Sequence, residues 1–244
     1  MLQSISVVFS VSVGTVKDVI GWVIVMQGKK FDSGSRMRLY DQRNQRLYIN
    51  AHERIRFVAA AENARQPLRN FALTLLYTGC RLSEALALRV VDLDSHGRLL
   101  SIKTLKKRNL HEVREGPIPP GLVEALSSQR SQYVIDRGGM EPDISLWSGS
   151  SRPPDRITGY RWIKDLMATA DVHGAQASPK GLRHGYGVHA VCSGVQLNML
   201  RKWMGHASIN TTSIYANAMG KEELQIADRM WVEQVIAHRT RQSR

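Results

Sequence analysis

Ser178-Pro179-Lys180-Gly181-Leu182-Arg183-His184 and, further on, Met204-Gly205-His206 with Tyr215 nine residues after the histidine are the stretches on which the reading of this chain turns. The pattern predicts three short helices there, over 179–192, 196–203 and 209–216. Lys180 and Arg183 are three apart, so both project from one side of one helix. His206 follows Gly205 at a helix end, and Tyr215 comes one short helix later. Each piece alone has an ordinary explanation: a Gly-His at a helix end is a cap, and a lone tyrosine is a half-buried packing aromatic.

Working outward, residues 47 onward read as mostly helical. Ala51 to Arg65 has an apolar face of Ile55, Val58 and Ala59, flanked by Phe57 and Ala61. Pro67 fits the first turn of a helix running to Tyr77. Thr78-Gly79 breaks it, and Arg81 starts the next helix, to Leu88. Leu99–Thr104 and His111–Ile118 read as strands around Lys106-Lys107-Arg108-Asn109, a basic hairpin. Helices are expected over 119–137, 158–170 and 221–237, the last with a stripe of Leu224, Ala227, Trp231 and Val235. The expected class is mainly α with a small antiparallel β-hairpin sheet (α+β). Residues 1–46 stand apart as an N-terminal extension: Ile5, Val7, Phe9, Val11 and Val13 alternate with serines as in a strand. A second β-branched run follows, and residues 29–46 are polar, as in a linker.

The charge balance narrows the partner. The 244 residues carry 34 Lys and Arg against 21 Asp and Glu, a net charge of +13. Residues 1–46 hold +4 of it, so the main domain carries +9. Such a basic balance is the electrostatic footprint of a nucleic-acid binder. Hydrophobic residues are 43% and charged residues 23%, which fits a globular chain and excludes a low-complexity one. Cys80 and Cys192 are far apart, so neither a disulfide framework nor a metal-ligand cluster is expected, and the reducing cytoplasm is the expected compartment. No apolar run is long enough for a membrane span, and no basic residue precedes Lys17 as a secretory signal would need.

Two further segments complete the candidate chemistry: Tyr77-Thr78-Gly79-Cys80-Arg81-Leu82-Ser83-Glu84, and Ile102-Lys103-Thr104 leading into the basic turn. Two arginines, two lysines, a histidine and a tyrosine could converge on one phosphodiester. Arginine suits that task because its planar fork contacts two phosphate oxygens at once. A tyrosine hydroxyl can attack phosphorus and form a covalent intermediate.

The ordered set resembles the tyrosine recombinases, the family of phage integrases and dimer-resolving recombinases. Arg81 in Thr-Gly-Cys-Arg-Leu-Ser-Glu is similar to the family's first arginine box, Lys103 to its β-hairpin lysine, Lys180-Gly-Leu-Arg183-His184 to its second box, and Gly205-His206 with Tyr215 to the third position and the nucleophile. The resemblance covers residues 47–237 and implies a catalytic domain over 47–244 that breaks and rejoins double-stranded DNA at specific sites without metal or other cofactor. It implies that Tyr215 forms a 3′-phosphotyrosyl bond, that Arg81 and Arg183 hold the non-bridging oxygens, and that Lys103, with Lys106 as second choice, protonates the departing 5′-oxygen. His206 would donate to a phosphate oxygen, Lys180 would add charge or assist proton transfer, and Glu84 would orient the site. Lys106, Lys107, Arg108 and His184 would touch DNA. The resemblance further implies a tetramer of two DNA-bound dimers, accessory DNA-bending proteins, and residues 221–244 exchanged between protomers. Lys180 stands where the family usually has histidine, and a helical DNA-clamping domain usually precedes the catalytic one. A type IB topoisomerase and a non-catalytic DNA-binding regulator derived from a recombinase are the alternatives.

Overall fold

The computed structural model describes residues 37–104, 112–139, 143–218 and 220–229. The expected strands before residue 37, the turn carrying Lys106, Lys107 and Arg108, and the stripe residues Trp231 and Val235 lie outside them. Residues 37–46, within the expected linker, form a tight turn: the Asp41 N–H donates to Gln45 O, Tyr40 and Arg46 bridge, and Leu39 is buried.

Helix α1 (Ala51–Glu62) starts at a reciprocal cap between Asn50 and Glu53. Its buried face is Glu53, Phe57, Ala60 and Ala61, and Ile55 is 67% exposed. The apolar face expected on Ile55, Val58 and Ala59 is therefore rotated. Glu53 accepts from Arg46 at 2.5 and 3.0 Å and from Gln176 at 3.0 Å, and these bonds hold that side of the helix inward. Helix α2 (Leu68–Thr78) is buried along most of its length and ends on Gly79. Helix α3 (Leu82–Leu86) follows at once, then a 3₁₀ turn over Val90–Asp92.

Strands β1 (Leu93–Asp94), β2 (Leu99–Lys103) and β3 (Val113–Pro117) form one antiparallel sheet in the order β1-β2-β3. β1 is too short to show a period and was not expected. The β2–β3 register sets Ile102 opposite Arg114 and Lys103 opposite Val113. Because side chains alternate across a strand, Leu100, Ile102 and Arg114 face inward while Lys103 faces solvent. Helices α4 (Pro120–Arg137), α5 (Arg156–Thr169) and α6 (Pro179–Cys192) come next, α6 capped by the Ser178 hydroxyl accepting from the Gly181 N–H. Helices α7 (Leu197–Met204), α8 (Ile209–Ser213) and α9 (Lys221–Asp228) close the described chain, with a 3₁₀ turn over Ile214–Asn217 carrying Tyr215. Among the described residues no helix is long and apolar enough to cross a membrane.

Buried side chains form two clusters. The larger joins α1 to α5 with the sheet, around Phe57, Phe71, Leu126 and Trp147. The smaller joins Leu39 and Tyr48 to Val188, Leu200, Met204 and Tyr215. Helix α6 belongs to both, Leu182 to the first and Val188 to the second. Arg183 and His184 thus sit on the seam between them.

Candidate active site

Helix ends build the site. Arg81 is the N-cap of α3, and both its main-chain N–H and its guanidinium donate to Glu84, at 2.9 and 2.7 Å. A second arginine reaches the same carboxylate: Arg114 Nη2 donates to Glu84 Oε2 at 2.6 Å. Arg114 also donates to Trp203 O at 2.9 Å and Thr104 Oγ1 at 3.2 Å. It therefore ties the β-hairpin to the end of α7 and to α3. Burial opposes the charge on Glu84, but the two arginines more than offset it and hold its carboxyl below the usual range. A charged arginine at an inward strand position is tolerated because all these donors are used.

Arg183 is 6% exposed. It donates to Gly79 O at 2.5 Å and Met204 O at 2.9 Å, buried main-chain carbonyls at the ends of α2 and α7. Burial lowers its pKa to about 10, which leaves it a cation at neutral pH. Gly205 ends α7 at φ +65°, where an added Cβ would lie 3.0 Å from the Arg114 guanidinium. That tight end places His206.

The His206 ring is buried. Its Nδ1 lies 2.9 Å from Thr212 Oγ1, while its Nε2 has no hydrogen-bond partner among the described residues. Burial, then the charges of Arg183 and Arg81, lower its pKa to about 3, so the imidazole is neutral. Tyr215 stacks on it, with ring centroids 6.2 Å apart and planes 17° apart. The Tyr215 ring is fully buried against Gly187, where a Cβ would come within 2.5 Å of it. Burial raises the phenol to about 12, while Arg183 and Arg81 pull the other way.

The structure brings Arg81, Glu84, Arg183, His206 and Tyr215 together. Lys180 is exposed on an open cleft that Arg81, Arg156 and Arg183 also line. Lys103 is exposed at the end of β2. His184 corrects an expectation. Expected to touch DNA, it is fully buried, with Nδ1 3.4 Å from the Tyr215 hydroxyl and its pKa lowered to about 4, mainly by burial. It follows Arg183 on α6, and the helical step turns it into the seam. Of the expected stripe on the last helix, Leu224 is 60% exposed and Ala227 is half-buried. Just past the end of α9, Arg229 donates to Val191 O of α6 at 2.8 Å.

Sequence reasoning missed Arg114, Thr212 and Arg156. Arg114 had one signal, its alternation with Val113 and Glu115 in a strand. Thr212 and Arg156 had none beyond their positions.

Residues 46–222 match the family model described as "Phage integrase family". The chain is 31% identical over 186 residues to the tyrosine recombinase XerC of Rhizobium meliloti (strain 1021), covering 74% of this chain and 57% of that protein. Among solved structures it is similar to the XerA recombinase, at TM-score 0.63 and 23% identity over 77% of this chain and 64% of that one. It is also similar to the XerH site-specific recombinase bound to its difH substrate in a pre-cleavage complex, at TM-score 0.60 and 18% identity over 89% and 66%. These two likenesses are of fold. The chain spans about half the length of the curated relatives it matches.

Proposed function

Because this chain belongs to the phage integrase family, we propose that it is the strand-transfer domain of a site-specific DNA recombinase, with Tyr215 as nucleophile. One observation carries this reading: Arg81 and Arg183, far apart in sequence, both act electrostatically on the Tyr215 phenol at the seam where His206 stacks on it. The Tyr215 oxygen attacks a phosphodiester, the phosphorus–O5′ bond breaks, and a 3′-phosphotyrosyl bond and a 5′-hydroxyl result. Arg81 and Arg183 stabilise the charge that develops on the non-bridging oxygens, work that fixed donors do best. Lys103 faces solvent at the mouth of the hairpin and protonates the departing oxygen. A phenol at about 12 must lose its proton for attack, and once the ring has moved out that proton passes to solvent at the open cleft. Lys180 adds positive charge at the cleft. Attack requires the 214–217 turn to carry the ring out of its buried position.

Double-stranded DNA is the partner this reading requires, and the XerH recombinase, solved bound to its difH substrate, supports it by likeness of fold. Pairing of DNA-bound protomers into a tetramer belongs to the same proposal. The burial of Tyr215 would equally suit a DNA-binding regulator without catalysis. A nicked suicide DNA substrate separates the two. A recombinase leaves a covalent protein–DNA adduct resistant to denaturation, and a regulator shifts the DNA in a gel without one.

A further inference from the structure

We propose that Thr212 is a positioning residue: its hydroxyl donates to His206 Nδ1 and so fixes the imidazole proton on Nε2, the ring nitrogen that has no partner among the described residues. The inference rests on the reading of His206 as a phosphate-facing donor and says what makes it one.

A neutral imidazole carries one proton, on either nitrogen, and the partner of one nitrogen decides which. Burial and the neighbouring arginines keep His206 neutral, so the choice of tautomer is the choice between donor and acceptor at Nε2. Nδ1 lies 2.9 Å from Thr212 Oγ1, with both residues buried, at 4% and 0% exposure. Two arrangements satisfy that distance. In one, the Thr212 hydroxyl donates to Nδ1, and the ring proton sits on Nε2. In the other, Nδ1–H donates to Oγ1, and the hydroxyl proton then needs an acceptor of its own. The structure shows Thr212 Oγ1 bonded to His206 alone among the described residues. The second arrangement would therefore strand a buried hydroxyl proton, which is costly. The first strands only Nε2–H, a buried atom without a partner among the described residues, on a ring that feels the charges of Arg183 and Arg81. A phosphate oxygen held by those arginines supplies the acceptor it lacks.

The fold makes this contact with little freedom. Gly205 turns the chain sharply out of α7 to set His206, and Ser208 caps α8 by accepting from the Asn210 N–H at 3.2 Å. Thr212 stands on α8 three residues before Tyr215, so one short helix sets both the tautomer and the position of the tyrosine.

The test uses the full chain labelled with ¹⁵N-histidine, with His206→Gln to assign the His206 signals. Long-range proton–nitrogen spectra at pH 7 read the tautomer directly. Wild type and Thr212→Ser should show the proton on Nε2, and Thr212→Val should lose that preference. Cleavage of a suicide substrate should fall about 10–100-fold in Thr212→Val, the range seen when a functional imidazole of a metal site loses its outer partner. Thr212→Ser should stay within a few-fold of wild type. A wild-type proton on Nδ1, or an unchanged tautomer in Thr212→Val, overturns the proposal. Cleavage by Thr212→Val within a few-fold of wild type overturns it too, since valine keeps the bulk of threonine and lacks the hydroxyl. If wild type forms no DNA adduct, the recombinase reading fails, and the spectra still decide the role of Thr212.

Discussion

Arg183 and Lys180 lie one helical turn apart on α6, yet they are held in opposite ways. Arg183 is buried and donates to two main-chain carbonyls at helix ends. Lys180 is exposed on the open cleft. The same division runs through the whole site. Glu84, Arg114, His206 and Tyr215 belong to the buried half, and Lys103 belongs to the open one, with the Arg81 side chain between them at 29% exposure. Glu84, Arg114 and Arg183 are organised before any ligand arrives, because each is fixed by partners within the protein. The exposed half has long, solvated side chains whose positions the ligand can set. Removing a buried charge leaves its partners unsatisfied and is costly, whereas removing an exposed one loses little.

The largest effect expected is at Tyr215. Tyr215→Phe should abolish covalent DNA adducts while DNA binding in a gel shift stays near wild type. Adducts that persist in that variant would break the assignment of the nucleophile.

Next comes the buried arginine. Arg183→Ala should slow single-turnover cleavage by about 10²–10³, as for loss of one fixed transition-state donor. Arg183→Lys should lose less, since it keeps the charge and loses the fork. Equal cleavage by wild type and Arg183→Ala would erase the contrast with Lys180.

Glu84 tests the buried half through stability. Glu84→Gln leaves Arg114 buried without its carboxylate and should cost about 3 kcal/mol, near the lower limit for a broken buried ion pair. Denaturant unfolding measures it, and a cost indistinguishable from zero would show that Arg114 is satisfied by Trp203 O and Thr104 alone.

Acid should undo the buried half first. His184 and His206 stay neutral down to about 4 and about 3 when folded, against about 6.5 in the unfolded chain. The unfolded state therefore binds more protons below about pH 6.5. Stability is full above that value and falls as pH drops through the window to about 3. Glu53 and Glu84, held below the usual carboxylate range, add a loss of the same sign at the acid end. Unfolding free energies measured from pH 7.5 to 4 should decline steadily. A flat profile would mean that these histidines are hydrated.

The smallest effect is predicted for the exposed lysine. Lys180→His should cleave within about tenfold of wild type, and Lys180→Ala should lose less than Arg183→Ala does, because an exposed charge is worth little alone. A loss at Lys180 as large as that at Arg183 would show that burial does not sort the residues of this site.

Local pattern carried much of this molecule. The strand run at 99–103 and the Thr-Gly break after Tyr77 are properties of neighbouring residues, and the folded chain keeps them. Inward and outward are not local properties. The face of α1 went to Glu53 and Phe57 rather than Ile55 because Arg46 and Gln176 come to meet the carboxylate from elsewhere in the chain. His184 went inward, and Arg114 could be buried, because α6, β3 and α7 converge on one seam and supply the partners a polar group needs there. The sequence by itself determined which side chains could hold a phosphate and how far apart they stand along the chain. Only the tertiary structure decided which of them are buried and paired, because the cost of desolvating a charge is met by groups distant in sequence.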